Sequence, residues 1–376
     1  LPKGKRWSAA HTVIEIVNDD MPFLVDSVAN ALRENNCIVH IVTHPTFRVR
    51  RDKSGRLTHL FAEEGSEDGT TAESVMHVEI NEQTEPQVLA EILALLESVL
   101  TDVRAAVGDW CAMRVKIADV IAELDSLPPP LPQEDLDEAK SFLRWVEDNH
   151  FTFLGYREFS FTTKGKPAQL RIEAESSLGI LREMSTTLFE GLQDQAGLPP
   201  DIADFIRTPS VLMVSKANRR STVHRATHLD TIGIKKFDRG GNVTGEQLFT
   251  GLFTSDVYNQ AVRDIPVLRG KVDTIVSRAG FHPNSHDGKA LLHILETLPR
   301  DELLQVDAET LLQTSLGILR LQDRQRVALF VHRDPFGRYV SCLVYVPRDR
   351  FDTRLRLAIQ GALGDGFGGE VAAHYT

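Results

Sequence analysis

Only three cysteines, Cys37, Cys111 and Cys342, occur in 376 residues, and no two of them form a CxxC pair. The odd count excludes a closed disulfide framework, the spacing excludes a thiolate zinc site, and both point to a reducing cytoplasm. Long hydrophobic runs are lacking as well, since none approaches the roughly 18 residues that a membrane span requires. Cationic excess is also missing. Lys plus Arg number 42 against 53 Asp plus Glu, and the net charge of −11 argues against broad contact with nucleic-acid phosphate, leaving room only for a local basic patch. HExxH, a P-loop and meaningfully spaced Ser-His-Asp or Cys-His sets are absent, so catalysis has no positive support in these residues. The remainder is an ordinary soluble composition, 42% hydrophobic, at a length that suggests about two to three domains of roughly 150 residues each. The opening Leu1-Pro2-Lys3-Gly4-Lys5-Arg6, with neither initiator Met nor signal-peptide core, reads as a piece of something longer.

The most informative stretch runs from Val13 to Leu32. Val13-Ile14-Glu15-Ile16-Val17 is a β-rich strand, and Leu24, Val28, Ala31 and Leu32 recur at helical spacing. Between them, Asn18-Asp19-Asp20-Met21-Pro22-Phe23 supplies an acidic turn. Pro22 fits a first helical turn, with Asp19 or Asp20 capping the backbone donors. A helix N-terminus beside a strand edge offers N–H groups and a positive dipole end, a setting for a small ligand. Any strand-turn-helix shares that local pattern.

Further strands are expected at Ile38–Val42 and Phe47–Arg51, with a hairpin arm from Leu57 to Glu63. Met76, Val78 and Ile80 alternate with His77 and Glu79 as a half-buried strand. Thr84 and Gln87 suggest a capping box, with Pro86 in the first turn, for a helix burying Leu89, Ile92, Leu93, Leu96, Leu100 and Val103. Residues 110–126 read as helix, and Pro128-Pro129-Pro130-Leu131-Pro132 as a stiff linker. Next come a helix carrying Ala139, Phe142, Leu143 and Val146, then strands at Phe151–Phe161, Val211–Ser215, Ser221–Ala226, Ile232–Phe237 and Gln247–Thr254. Asp238–Asn242 is a tight turn, and Asp256–Ala279 is helical with a break near Pro266. Residues 164–208 have weak periodicity. The last segment is expected to echo the first: a strand Leu291–Leu295, a turn and a helix, a hairpin of Arg326–His332 and Arg338–Val346 about Asp334-Pro335-Phe336-Gly337, a helix Phe351–Leu363 and a strand Glu370–His374. These elements define an α+β chain with domains at 1–127, 139–287 and 288–376, and a linker at 128–138.

Other motifs weigh less. Gly364-Asp365-Gly366-Phe367-Gly368-Gly369 satisfies GxGxxG, but a helix precedes it where a dinucleotide loop needs a strand. His282 and His286 have HxxxH spacing with no third ligand, and Pro283 opposes a helix there. Lys216, Arg219 and Arg220, with Arg225, His228 and Asp230 nearby, form a fallback anion site against the plainer reading of a solvated turn.

Asp20-Met21-Pro22-Phe23-Leu24-Val25-Asp26-Ser27-Val28 resembles the N-terminal part of the large bacterial NAD-specific glutamate dehydrogenases. So do Phe151-Thr152-Phe153-Leu154-Gly155-Tyr156, the stretch from Ile294 to Leu303, and Val346-Pro347-Arg348-Asp349-Arg350-Phe351. The resemblance implies tandem ACT-like βαββαβ sandwiches flanking a PAS-like antiparallel-sheet domain. It implies a parent that deaminates L-glutamate to 2-oxoglutarate and ammonia with NAD, whose catalytic and cofactor residues lie outside these 376. On that basis the fragment needs no cofactor, joins the rest of its parent chain, self-associates, and takes an amino-acid effector. Candidate effector residues are Asn18, Asp19, Asp20, Met21, Pro22, Phe23 and Leu24, with Pro299, Arg300, Asp301 and Glu302 at the corresponding later turn. The effector carboxylate would meet N–H groups of the Pro22–Leu24 turn and its ammonium Asp19 or Asp20. A purely architectural role without a ligand is the rival expectation.

Overall fold

The computed structural model describes residues 10–61, 69–126, 129–162, 169–173, 175–182, 208, 210–321 and 326–375. The chain divides into two compact units, Leu1–Tyr258 and Asn259–Thr376. The expected boundaries at 128–138 and 287/288 do not coincide with this division.

The first unit opens with β1 (Thr12–Asp19), α1 (Leu24–Glu34), β2 (Val39–Thr43), β3 (Thr46–Arg51), β4 (Leu57–Phe61), β5 (Thr71–Ile80) and α2 (Pro86–Gly108). Central β5 pairs antiparallel with the whole of β1, from Thr12 opposite Ile80 to Asp19 opposite Glu73. Its other edge is shared end to end by β2 and β3, and β4 pairs beyond β3. The alternation read from the sequence is real. Met76, Val78 and Ile80 are fully buried, along with Leu24, Val28 and Leu32 of α1 and Val99 and Val103 of α2, and Ile92 and Leu96 of α2 are buried too. Leu89 and Leu93, expected inside, lie exposed on the outer side of α2. Pro86 is the first residue of α2 as expected, but Glu85 occupies the N-cap and makes no side-chain cap bond, so the Thr84 capping box does not form. At the tip of the β3–β4 arm the Asp52 carboxylate accepts from the backbone of Ser54 and Arg56, and Gly55 takes the positive φ of 80° that the reversal needs.

The same unit continues with α3 (Trp110–Ser126) and α4 (Gln133–Trp145), then an antiparallel sheet of β6 (Phe151–Thr162), β7 (Gln169–Ile172), β8 (Leu178–Gly179), β9 (Leu212–Arg220), β10 (His228–Phe237) and β11 (Val243–Phe253). Its order is β7-β6-β11-β10-β9, with β8 also on β6. Helix α4 starts inside the expected 128–138 linker, because Glu134 and Asp135 give it an acidic first turn directly after Pro132. The strand expected at Ser221–Ala226 is absent. β9 and β10 are antiparallel neighbours, so the chain must reverse between them; Ser221 Oγ accepts the Val223 N–H and His224 takes φ 69°. Residues 183–207 of the poorly periodic stretch lie outside the described residues.

In the second unit a 3₁₀ turn (Val262–Asp264) precedes α6 (Leu268–Ala279), and α5 (Ser255–Asn259) falls at the division. Then follow α7 (His286–Thr297), α8 (Arg300–Gln305), α9 (Ala308–Leu319), a hairpin of β12 (Ala328–Arg333) and β13 (Val340–Tyr345), and α10 (Thr353–Phe367). The strand expected at Leu291–Leu295 is therefore helix. Leu291, Ile294 and Leu295 are buried at the i, i+3, i+4 spacing that a short apolar run satisfies as well as a strand's, and Ser285 caps the helix by accepting the Gly288 N–H. The Asp334 turn is as expected: its carboxylate accepts from the backbone of Phe336 and Arg338 and from the Arg338 guanidinium. Residues 370–375 pair with no strand among the described residues. The expected echo of the first βαββαβ order thus fails before residue 328 and holds for the hairpin and the helix after it.

Candidate functional site

The turn after β1 is built differently from the expectation. Asp20 N–H donates to Ala72 O on β5, Met21 and Pro22 stay outside the helix, and Phe23 at the N-cap of α1 takes φ 73°. Neither Asp19 nor Asp20 caps the helix. Instead the Phe23 carbonyl accepts from Ser27 N–H at 3.0 Å and from Ser27 Oγ at 2.6 Å. Asn18 is buried: its amide donates to Asp19 O at 2.7 Å and its carbonyl oxygen accepts from the Arg104 guanidinium of α2. Leu24 is core, and Asp19, Asp20 and Pro22 are exposed.

The 221–227 loop closes over the first turn of α1. His224 N–H donates to Ser27 Oγ at 2.9 Å, Asn30 Nδ2 donates to His224 O at 2.8 Å, and the Phe23 and His224 rings lie 5.0 Å apart. His224 Nδ1 is 3.2 Å from Asp26 Oδ2. Farther along, Thr222 Oγ1 donates to Asp102 at 2.7 Å and Arg220 pairs with Glu34 at 2.9 Å. A cleft of about 50 Å³ beside Asn30, Asn35, Val99 and Arg225 remains under the loop, room for about a water or two and no amino acid. Two facing residues with left-handed backbone, neither of them glycine, are held here by polar bonds, a combination found where structure overrides local preference. Reading the sequence missed Ser27, Asn30, Asp102, Arg104 and His224, because no local pattern signals partners 86 to 197 positions apart.

The later turn is a structural joint. Pro299 caps α8, and buried Arg300 donates from its two terminal nitrogens to Glu296 O and Gln260 O, each at 3.0 Å. Burial lowers its pKa. Glu302 accepts from Ser341 Oγ of β13, and Asp301 lies on the partly exposed first turn. Below α8, Lys271 of α6 donates to the carbonyls of Leu303, Leu304 and Val306 at 2.9, 3.0 and 2.9 Å. Its pKa is pushed down to about 8 by burial, against the opposing pull of Asp307. Three acceptors call for three N–H donors, so the group works as an ammonium at neutral pH. This turn belongs to the second unit and residues 18–24 to the first.

The cations of the fallback anion site are each engaged: Lys216 with Asp230 at 2.7 Å, Arg219 with Asp102 at 3.7 Å and Arg220 with Glu34. His282 belongs to the turn before α7 and His286 to its first position, and no group of three metal-binding side chains occurs among the described residues. Gly368, at φ 65°, is the C-cap of α10, so the GxGxxG run is a helix end. A cleft of about 550 Å³ lies over Glu158 and Lys236 of the second sheet and Lys116 of α3. There Glu158 accepts from Tyr156 Oη at 2.7 Å and from Lys236 at 3.0 Å. Burial alone would raise the Glu158 pKa, but these bonds hold it below the usual range.

Comparison with known proteins places this geometry. Residues 2–96 match the glutamate dehydrogenase ACT1 domain, residues 265–324 its helical motif 1, and residues 328–376 its ACT2 domain. The NAD-specific glutamate dehydrogenase of Halomonas elongata is 38% identical over 358 residues, and that of Pseudomonas aeruginosa 37% over 357; each alignment covers 95% of this chain. The Mycobacterium tuberculosis enzyme of the same name is 28% identical over 360 residues. The chain belongs to the NAD-specific glutamate dehydrogenase family. It spans 22% of the length of the Halomonas and Pseudomonas relatives and 21% of the Mycobacterium one. In this family's terms the β1–β5 sheet with α1 and the start of α2 falls in the ACT1 domain, α6–α9 fall in helical motif 1, and ACT2 begins at the β12–β13 hairpin. The turn at Pro299–Glu302 therefore belongs to the helical motif, where a second ACT-like sandwich was expected. Among the described residues no helix is long and apolar enough to cross a membrane.

Proposed function

We propose that this chain is the regulatory region of a cytoplasmic NAD-dependent L-glutamate dehydrogenase. The whole protein would convert L-glutamate to 2-oxoglutarate and ammonia, with NAD bound outside these 376 residues. The six-stranded sheet of β6–β11 is taken as a PAS-like module beside ACT1. The observation that carries the reading is the clasp of the 221–227 loop on the first turn of α1. An amino acid seated at Asn18–Leu24, with its carboxylate on the N–H groups from Phe23 onward and its ammonium near Asp19 or Asp20, would compete with the Ser27–His224 and Phe23–His224 contacts. Binding at ACT1 would then be felt by the neighbouring sheet. Such a ligand regulates only through unequal affinity for the clasped and released states.

Calorimetry of the chain against the common amino acids, at concentrations up to millimolar, tests the reading. Binding that Asp20→Ala weakens supports it, and no heat with any of them removes the sensing role. The second reading, a module that only holds the assembly together, is favoured by the internal engagement of Asn18, Arg300 and Glu302. It predicts an unaltered effector response of the parent enzyme in Asp20→Ala.

A further inference from the structure

The cleft of about 550 Å³ beside α3 falls in the size range of small-molecule sites, and its lining carries two poles of opposite charge. At one, the Glu158 carboxylate accepts from Tyr156 Oη at 2.7 Å, Lys236 Nζ at 3.0 Å and Lys116 Nζ at 3.4 Å, and Lys116 also lies over the Tyr156 ring. Two ammonium groups against one carboxylate leave this pole with a net charge of +1. Each lysine is half-buried, and its bond to Glu158 engages one of three N–H donors. At the other pole, Glu173 and Glu175 are exposed. Neither lysine pairs with them among the described residues. Their turn is fastened to β6: Glu173 N–H donates to Glu158 O and Glu158 N–H to Ser176 Oγ, each at 3.0 Å, while Ser176 Oγ donates to Glu173 O at 3.0 Å. Glu175 takes φ 63° there, a left-handed backbone that a glutamate keeps where its surroundings fix it. The backbone beneath both carboxylates is thus set before any ligand arrives.

We infer that this cleft holds a free α-amino acid as its zwitterion, the carboxylate shared by Lys116 and Lys236 and the ammonium taken by Glu173 and Glu175. Charge-assisted bonds then form at both ends of the ligand. A carboxylic acid without an amine leaves its other end against two carboxylates, and an amine without a carboxylate meets the positive pole. Each half is therefore turned away by like charge, and a molecule carrying both is selected. Ser160 and Thr244 of the lining offer hydroxyls to a polar side chain. The cleft shares no residue with the Asn18–Leu24 turn, so it is a second amino-acid site in the proposed regulatory region, and each can fail without the other.

Calorimetry of the 376-residue chain tests it, with the common L-amino acids and, for each that binds, its N-acetyl derivative, which lacks the ammonium, and its α-amide, which lacks the carboxylate. Both derivatives should bind at least about tenfold more weakly, the loss expected for one charge-assisted bond. Glu173→Gln with Glu175→Gln, and separately Lys116→Gln with Lys236→Gln, should each weaken the parent amino acid by about tenfold. The lysine pair should no longer matter to the α-amide, nor the glutamate pair to the N-acetyl derivative, because the group each would hold is gone. Asp20→Ala should leave the affinity of the cleft unchanged. Glu173 and Glu175 are on the surface, so their variant keeps the test intact if the lysine variant misfolds, and circular dichroism checks both. Binding that survives both double variants would overturn the cleft, and if Asp20→Ala then removes it, the turn is the amino-acid site. Derivatives that bind as well as the parent amino acid would overturn zwitterion recognition, and heat from no amino acid would remove both sites.

Discussion

Lys271 gives the sharpest quantitative test. Its stem is partly exposed while Nζ turns inward to the three carbonyls at the end of α8. Folding lowers its pKa from the ordinary 10.5 to about 8. Below pH 8 both states are protonated, and the folded state bears the desolvation of the charge. Between 8 and 10.5 the unfolded state binds the extra proton, so stability rises with pH and levels off above 10.5. A tenfold change in proton affinity corresponds to about 1.4 kcal/mol, so the full excursion is on the order of 3 kcal/mol, and the part gained between pH 7 and 9 is on the order of 1 kcal/mol, or roughly tenfold in the opening constant. Lys271→Met is the pH-blind reference. Hydrogen exchange of residues 286–319, taken as the ratio of unaltered chain to variant at each pH, should show protection growing about tenfold from pH 7 to 9. A flat ratio would refute the desolvated ammonium, and a falling one would mean that the three carbonyl bonds outweigh the burial.

Asn30→Ala leaves the His224 carbonyl without its side-chain donor and should weaken the clasp by about 1 kcal/mol, read as faster exchange confined to residues 221–227; unchanged exchange there would show that the loop is held without this bond, by the Ser27, Phe23 and Asp102 contacts. Gly251→Ala would set a Cβ 2.0 Å from Thr152 O and 2.7 Å from the Phe151 ring, with Gly251 on the β11 side of a strand pair. A loss of about 1–3 kcal/mol is expected, visible as a lower melting midpoint of the first unit, and a neutral substitution would mean that β6 and β11 separate more easily than their register implies.

The elements most legible in the sequence were those with long, one-signed periodicity. β1, β5, α1, α2 and the β10–β11 turn follow from alternation, from 3.6-residue spacing and from the Asp-Arg-Gly-Gly-Asn turn. The failures have a common cause. Leu291-Leu292-His293-Ile294-Leu295 is short and apolar enough for either period, and burial against α6 and α9 decides for helix. Ser221–Ala226 alternates like a strand, but the reversal between β9 and β10 and the bonds to α1 take it out of the ladder. At the candidate site the sequence locates Asn18 and the Phe23 turn but draws Pro22 into the helix, because nothing local announces a left-handed phenylalanine. His224 reaches Ser27 from 197 positions away, and no local spacing rule operates over that distance.

Helix α2 is the beam that two neighbouring rooms share. Its 23 residues span about 34 Å at 1.5 Å per residue. It packs against α1 and also against β6 and β8 of the second sheet, and Ile92, Leu96, Val103 and Ala106 along its length are buried. The ACT1 match ends at residue 96, midway along this beam. Cutting there would saw through the joist, stripping one room of its support and the other of its ceiling. A freestanding ACT1 piece must therefore carry the chain to at least residue 108, and even then it bares the underside that belonged next door.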